Sequence, residues 1–263
     1  MCIRDRDGTS AILRYSDFAH YVEYFNDMED ENIVQAIPNA EASKWLEENI
    51  PLFECPQKNF EEMFYYRWWT LRKHIKQTPV GYGMTEFLVK RSYADKYNLI
   101  ACAIGHHINE SRWLRNQDYL NQIITTWYTG NEGGPMAKMN KFSSWNPYAV
   151  YNRFLVNGDK KFLLSMLPAL ENEYVRWEHM NRLSNGLYWQ SDVQDGMEES
   201  ISGGRHKHYA RPTINSYMYG NAKALSWIGA LAGDTNMMME YALKADTLKE
   251  LVPVSYTHLT LPT

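Results

Sequence analysis

Apolar side chains recur along this chain with the period of a helix. Leu163, Met166, Leu167, Leu170, Tyr174 and Trp177 fall at spacings of three and four, and Ile214, Tyr217, Met218, Leu225, Ile228 and Leu231 do much the same. Residues so spaced share one face of an α-helix, whereas a strand alternates at every second position. Tyr97 to Trp113 and Phe142 to Leu155 are apolar on more than one side, which predicts inner helices. Alternating runs bounded by turn residues are scarce. The pattern predicts helices near 40–49, 59–76, 97–114, 117–129, 142–156, 159–181, 213–232 and 235–251.

The junctions repeat. Arg115-Asn-Gln-Asp118, Val156-Asn-Gly-Asp159 and Leu231-Ala-Gly-Asp234 each close one apolar helical stretch and open another. An Asp or Asn at a helix start accepts backbone N–H bonds, and a Gly before it permits a tight reversal. The Asp positions lie 41 and 75 residues apart, which predicts helix hairpins repeating about every 40 residues with one insertion. The other connections, 77–96, 130–141 and 182–212, are long. Alternate loops of an antiparallel array lie on one face, so the three long loops are expected to gather there. Uneven loops argue against an open solenoid. They predict an all-α toroid of helix hairpins carrying its site on the long-loop face.

Composition narrows the function. The formal net charge is −4 and no Lys/Arg cluster stands out, so nucleic acid is an unexpected partner. No apolar run reaches the length of a membrane span. Aromatic residues make up 14% of the chain, including nine Trp and nineteen Tyr, as ring-lined pockets and large helical cores both require. Cys55 and Cys102 are distant in sequence and read as two buried thiols. Met1-Cys-Ile-Arg-Asp-Arg6 and Val254 to Thr263 resemble translated sequencing-adapter sequence and are set apart from the fold as artefacts. Residues 7–253 are then expected to be one domain, itself part of a longer protein.

The chemistry concentrates in Asn185 to Ser200, where Asp192, Asp195, Glu198 and Glu199 stand beside Tyr188 and Trp189. Ring faces such as that of Trp189 cover the C–H side of a pyranose, while carboxylates bond hydroxyls or move protons. Paired carboxylates are what glycoside hydrolysis needs. Within Tyr66-Arg67-Trp68-Trp69, Arg67 and Trp68 are candidates to face a pocket, since four contiguous helical residues cannot all do so. His106, His107 and Glu110 read as hydrogen-bonding groups rather than metal ligands, because adjacent helical residues diverge by about 100°. His206-Lys-His208 is open to the same metal reading and is set aside for it too, so no metal and no cofactor are expected. Arg211 and Tyr209 are candidate rim residues, and Trp145 a candidate pocket wall.

Ordered motifs across 95–253 resemble a known group. Tyr97-Asn98 with Gly105 is similar to the Trp-Asp…Gly helix of trehalases and family 63 glycosidases. Gly196-Met-Glu198-Glu-Ser200 is similar to their Gly-(Met/Trp)-Asp-(Asn/Phe)-Ser motif, and Thr213-Ile-Asn215-Ser-Tyr217-Met-Tyr219 to their Asp-Leu-Asn-x-x-x-Tyr helix. The chain most resembles the mannosylglycerate hydrolase-like glycoside hydrolase domains, which are (α/α)6 barrels of six hairpins. That resemblance implies about four of six hairpins here, with Glu198 in the general-acid position and Asp195 its rival. It also implies sugar contacts at Asn98, where relatives carry Asp, and at Asn215 and Tyr219.

The reading is an inverting, exo-acting glycoside hydrolase on small glycans or glycan chain ends, needing no cofactor. Its base is expected in the last third of the family's domain, so this polypeptide alone is expected to be inactive. A polysaccharide lyase using His208, Tyr209, Arg211 and Asn215 is one alternative. A sugar-binding helical module is another.

Overall fold

The computed structural model describes residues 13–196 and 204–257. Among them the fold is all-α, with two short two-stranded sheets. Helices α1 (Ala19–Asp27), α2 (Asn39–Asn49) and α3 (Lys58–His74) pack on one another at the N-terminal end. A hairpin of β1 (Ile75–Thr78) and β2 (Gly81–Met84) follows, pairing Ile75 with Met84. Then come α4 (Ile104–Ser111), α5 (Asp118–Thr129), α6 (Asn146–Asn157), α7 (Lys160–Asn181), α8 (Pro212–Ala232) and α9 (Thr235–Thr257). A second pair, β3 (Trp189–Gln190) and β4 (Tyr209–Ala210), closes the connection between α7 and α8.

The helices alternate as a toroid-like array requires. α4 packs on α6 and α6 on α8, while α7 and α9 pack against α8. The tight turns are built as read. Gly158 and Gly233 take φ of 69° and 78°, in the left-handed region that favours glycine. Asp159 accepts from the Phe162 amide at 3.0 Å and Asp234 from the Met237 amide at 2.9 Å. The first turn has no glycine, and there Asn116 Oδ1 accepts the Asp118 amide at 3.0 Å. Proline opens α6 and α8, where its missing N–H costs nothing.

The long loops meet. The Lys138 ammonium donates to the Ala94 carbonyl at 2.5 Å, the Ser143 amide to the Gln194 carbonyl at 2.9 Å, and the Gln190 side chain to the Lys141 carbonyl at 3.3 Å. The 77–96, 130–141 and 182–212 connections therefore share one face.

Three expectations are corrected. The segment 97–114 is not one helix. Tyr97 and Asn98 have φ of 60° and 65°, two 3₁₀ turns precede Ile104, and only 104–111 is α-helical. The stretch before α6 stays unwound through Trp145, because Ser143 and Ser144 turn their side chains to buried carboxylates. The two thiols are half-buried rather than buried, and neither forms a disulfide.

Most of the aromatic content serves one continuous core, with Trp127, Trp177, Tyr65 and Tyr174 fully inside. One carboxyl lies there as well. Glu173 of α7 accepts from Tyr128 of α5 at 2.6 Å and from Asn146 of α6 at 2.8 Å, joining three helices. Burial pushes its carboxyl up to about 7, against the pull of these donors.

Candidate functional site

Segments of α3, α4, α8 and the β3–β4 connection, together with Met84, Glu86 and Ser143, converge on a cleft of about 650 Å³ on the long-loop face. From α3 come Arg67, Thr70, Leu71 and His74, which the helical spacing of three and four sets on one side. The same rule brings His106, His107 and Glu110 of α4 to the opposite wall, and Thr213 and Tyr217 from the first turns of α8. The loop between β3 and β4 contributes Asp195 and Gly196.

Asp195 is the most constrained of these groups. It is 6% exposed, and its Oδ1 accepts from the Ser143 hydroxyl. Burial raises its carboxyl above the usual range, opposed by the Ser143 hydroxyl and by the nearby Thr213 hydroxyl and Ile214 amide. Its Oδ2 is buried with no hydrogen-bond partner among the described residues. Tyr217 stays a phenol, because burial and, after it, the nearby Asp195 carboxyl raise it. Burial, with His74 and His106 close by, drives His107 down to about 3, so the imidazole is neutral at every ordinary pH. His74 is fixed by a 2.7 Å contact to the Thr85 carbonyl. Arg67 and Glu110 form an ion pair across the mouth, both largely exposed. Chemically the cleft offers hydroxyl and imidazole hydrogen-bonding groups, the Arg67–Glu110 ion pair, the Glu86 side chain and, in Asp195, a buried carboxyl whose proton affinity is raised.

Residues 96–257, more than half the chain, match the mannosylglycerate hydrolase MGH1-like glycoside hydrolase domain. The chain belongs to that family. A solved structure named "Sialidase" is similar to it at 75% identity and a TM-score of 0.91. The match covers 95% of this chain and 23% of that one, so this chain spans under a quarter of that protein's length.

Within this glycoside hydrolase domain the expected site residues separate. Arg67, His107 and Asp195 line the cleft. Trp145 stands behind it, edge-on to His106 at 5.2 Å and 6.3 Å from Tyr217. Trp68 points away into the core, 8% exposed, because it follows Arg67 directly on α3. Tyr219, two residues past Tyr217, likewise turns from the cleft and packs on the core.

The two asparagines hold backbone. Asn98 donates to the Phe87 and Val89 carbonyls at 3.0 Å each and accepts from the Arg91 amide at 2.8 Å. Asn215, fully buried, accepts the Tyr188 amide and donates to its carbonyl, both at 2.8 Å. Arg211 pairs with buried Asp192. Trp189 stacks on His208, centroids 3.6 Å apart, facing a second cavity. The residues a lyase would use are thus not assembled at the cleft. Glu198 and Glu199 lie outside the described residues.

Tyr217, Thr213 and Ser143 were not singled out as site residues by the sequence. The signal for the first two is their spacing of four at the start of an inner helix that opens onto the long-loop face. Among the described residues no group of three or more His, Cys, Asp or Glu is disposed to hold a metal, and no helix is long and apolar enough to cross a membrane.

Proposed function

We propose that this glycoside hydrolase domain belongs to an inverting, exo-acting enzyme in which Glu198 is the general acid and Asp195 shapes its surroundings. The observation that carries the reading is Asp195, a buried carboxyl on the cleft wall with its proton affinity raised. Gly196 also lines the cleft, and Glu198 follows two residues later. A negative neighbour keeps a second carboxyl protonated near neutral pH, as a general acid requires.

In this mechanism Glu198 gives its proton to the glycosidic oxygen as that bond breaks. A water attacks the anomeric carbon from the opposite face and loses its proton to a second carboxylate, leaving an inverted hemiacetal. No cofactor enters. Neutral His107, phenolic Tyr217 and the Arg67–Glu110 pair are the groups proposed to bond sugar hydroxyls. A cleft walled by several chain segments favours a chain end over a chain interior.

The test is hydrolysis of aryl glycosides and end-labelled oligosaccharides by a polypeptide carrying this domain, with proton NMR of the first-formed anomer. Inverted configuration, release from the chain end and loss of turnover in Glu198→Gln are expected. Retained configuration, internal cleavage or an unsaturated uronide product overturns the proposal.

A further inference from the structure

Behind the wall formed by residues 190–196 lies a second cavity of about 420 Å³. Gln194 lines it while the adjacent Asp195 lines the cleft, so one short segment separates the two. Its walls come from the end of α7 (Arg176, Asn181), the loop before α6 (Asn140, Lys141), Trp189 of β3, and His208 just before β4.

Three independent observations define what it fits. The first is charge. Arg176, Lys141 and His208 line the cavity, and no carboxylate does among the described residues. Lys138 also reaches it, but its ammonium is held by the carbonyls of Ala94, Ser92 and Tyr93. Arg176 makes no ion pair among the described residues. Glu173, a carboxyl with which it interacts electrostatically, is buried and held up at about 7.

The second is an orphaned acceptor. Asn140 is 5% exposed, and its amide nitrogen donates to the Glu173 carbonyl at 3.3 Å. Its Oδ1 is buried without a partner among the described residues. A buried acceptor left unmatched is costly, and Asn140 lines the cavity, so a small turn of its side chain on binding lets a ligand hydroxyl relieve it. The third is a flat platform. The Trp189 and His208 rings stack at 3.6 Å and 18°, so the indole is fixed and half-buried, the form that covers the C–H face of a pyranose.

We propose that this cavity is an accessory binding site for an acidic sugar residue. Its carboxylate is taken by Arg176 and Lys141, a hydroxyl donates to Asn140, and its ring lies against the Trp189–His208 pair. The site is separate from the cleft and does not depend on which carboxyl protonates the glycosidic oxygen.

Calorimetric titration of the full chain with D-glucuronic acid, D-glucose and inorganic sulfate tests this. Saturable glucuronate binding is expected, about tenfold tighter than glucose or sulfate. Loss of one charge-assisted contact in Arg176→Gln or Lys141→Gln weakens it about tenfold, while Arg67→Gln in the cleft leaves it unchanged. If Arg176→Gln melts early, Lys141→Gln, at a half-buried position, decides. Equal affinity for sulfate, equal affinity for glucose, absence of saturable binding, or sensitivity to Arg67→Gln alone each overturns the proposal. The titration needs no turnover, so its failure is distinct from failure of the hydrolase reading.

Discussion

Gly105 of α4 and Trp145 at the start of α6 meet with no room between them: a β-carbon at 105 would lie 2.6 Å from Cδ2 and 2.8 Å from Nε1 of the indole. The contact sets how closely the two inner helices approach, and it seats the ring that backs His106 and Tyr217. Gly105→Ala gains helix propensity worth about 1 kcal/mol but forces a rigid indole aside, at about 1–3 kcal/mol of overpacking. The expected outcome is a lower melting temperature together with weakened ligand binding in the cleft. An unchanged melting temperature contradicts this packing.

Glu173 makes stability depend on pH. Its folded carboxyl titrates near 7 against 4.5 for an ordinary glutamate, so the folded state holds a proton that the unfolded state has released. Stability is therefore full below about 4.5 and is lost as pH rises through about 7, by on the order of 3 kcal/mol. Glu173→Gln keeps acceptors for Asn146 and Ser144 and cannot ionise. Thermal unfolding across pH 4 to 9 is expected to show a flatter profile for the variant, with its advantage over the parent greatest at alkaline pH. An advantage confined to acid pH reverses the sign and refutes the assignment.

Asp195 sets function against stability. Its folded carboxyl is also raised, so its ionised form costs stability as pH rises above the ordinary Asp range. Asp195→Asn keeps the acceptor for Ser143 and removes the buried charge. Melting temperature at pH 8 is expected to rise, while turnover by a polypeptide carrying this domain falls. Glu198→Gln is expected to abolish turnover. Equal turnover in Asp195→Asn and parent removes Asp195 from the site.

Much of this architecture is legible in the order of residues. Long amphipathic helices such as α7 and α8 declare themselves by spacing, and Asp159 and Asp234 mark their own caps. The nine-residue α1 does not, because its buried Tyr21, Val22 and Phe25 give too few turns for a period to emerge. The β1–β2 hairpin hides behind the end of α3, where Ile75 continues the helix's apolar pattern. Tyr217 reads as one more core position, since an inner helix is apolar all round and the cleft is simply the part of that surface left uncovered. Asn215 shows the reverse: an amide in a motif reads as a ligand contact, yet full burial commits it to the Tyr188 backbone.

Asn98 poses the same question in a form that experiment answers. Its backbone has φ of 65°, a region Asn tolerates and most side chains do not. Its amide group donates to two carbonyls and accepts from one amide, closing the 87–91 loop over the segment that leads into α4. Asn98→Asp keeps the backbone preference and the bond from Arg91 but turns both donors into acceptors, setting a carboxylate against two carbonyl oxygens. The expected cost is about 2–3 kcal/mol, larger at neutral than at acid pH, because protonating the carboxyl restores one donor. Asn98→Gly keeps the positive φ and loses only the side-chain bonds, so it is expected to melt between parent and Asn98→Asp at neutral pH. The order of the three melting temperatures is the measurement. Should Asn98→Asp instead melt like the parent while sugar affinity at the cleft changes, the side chain belongs to the ligand and not to the loop.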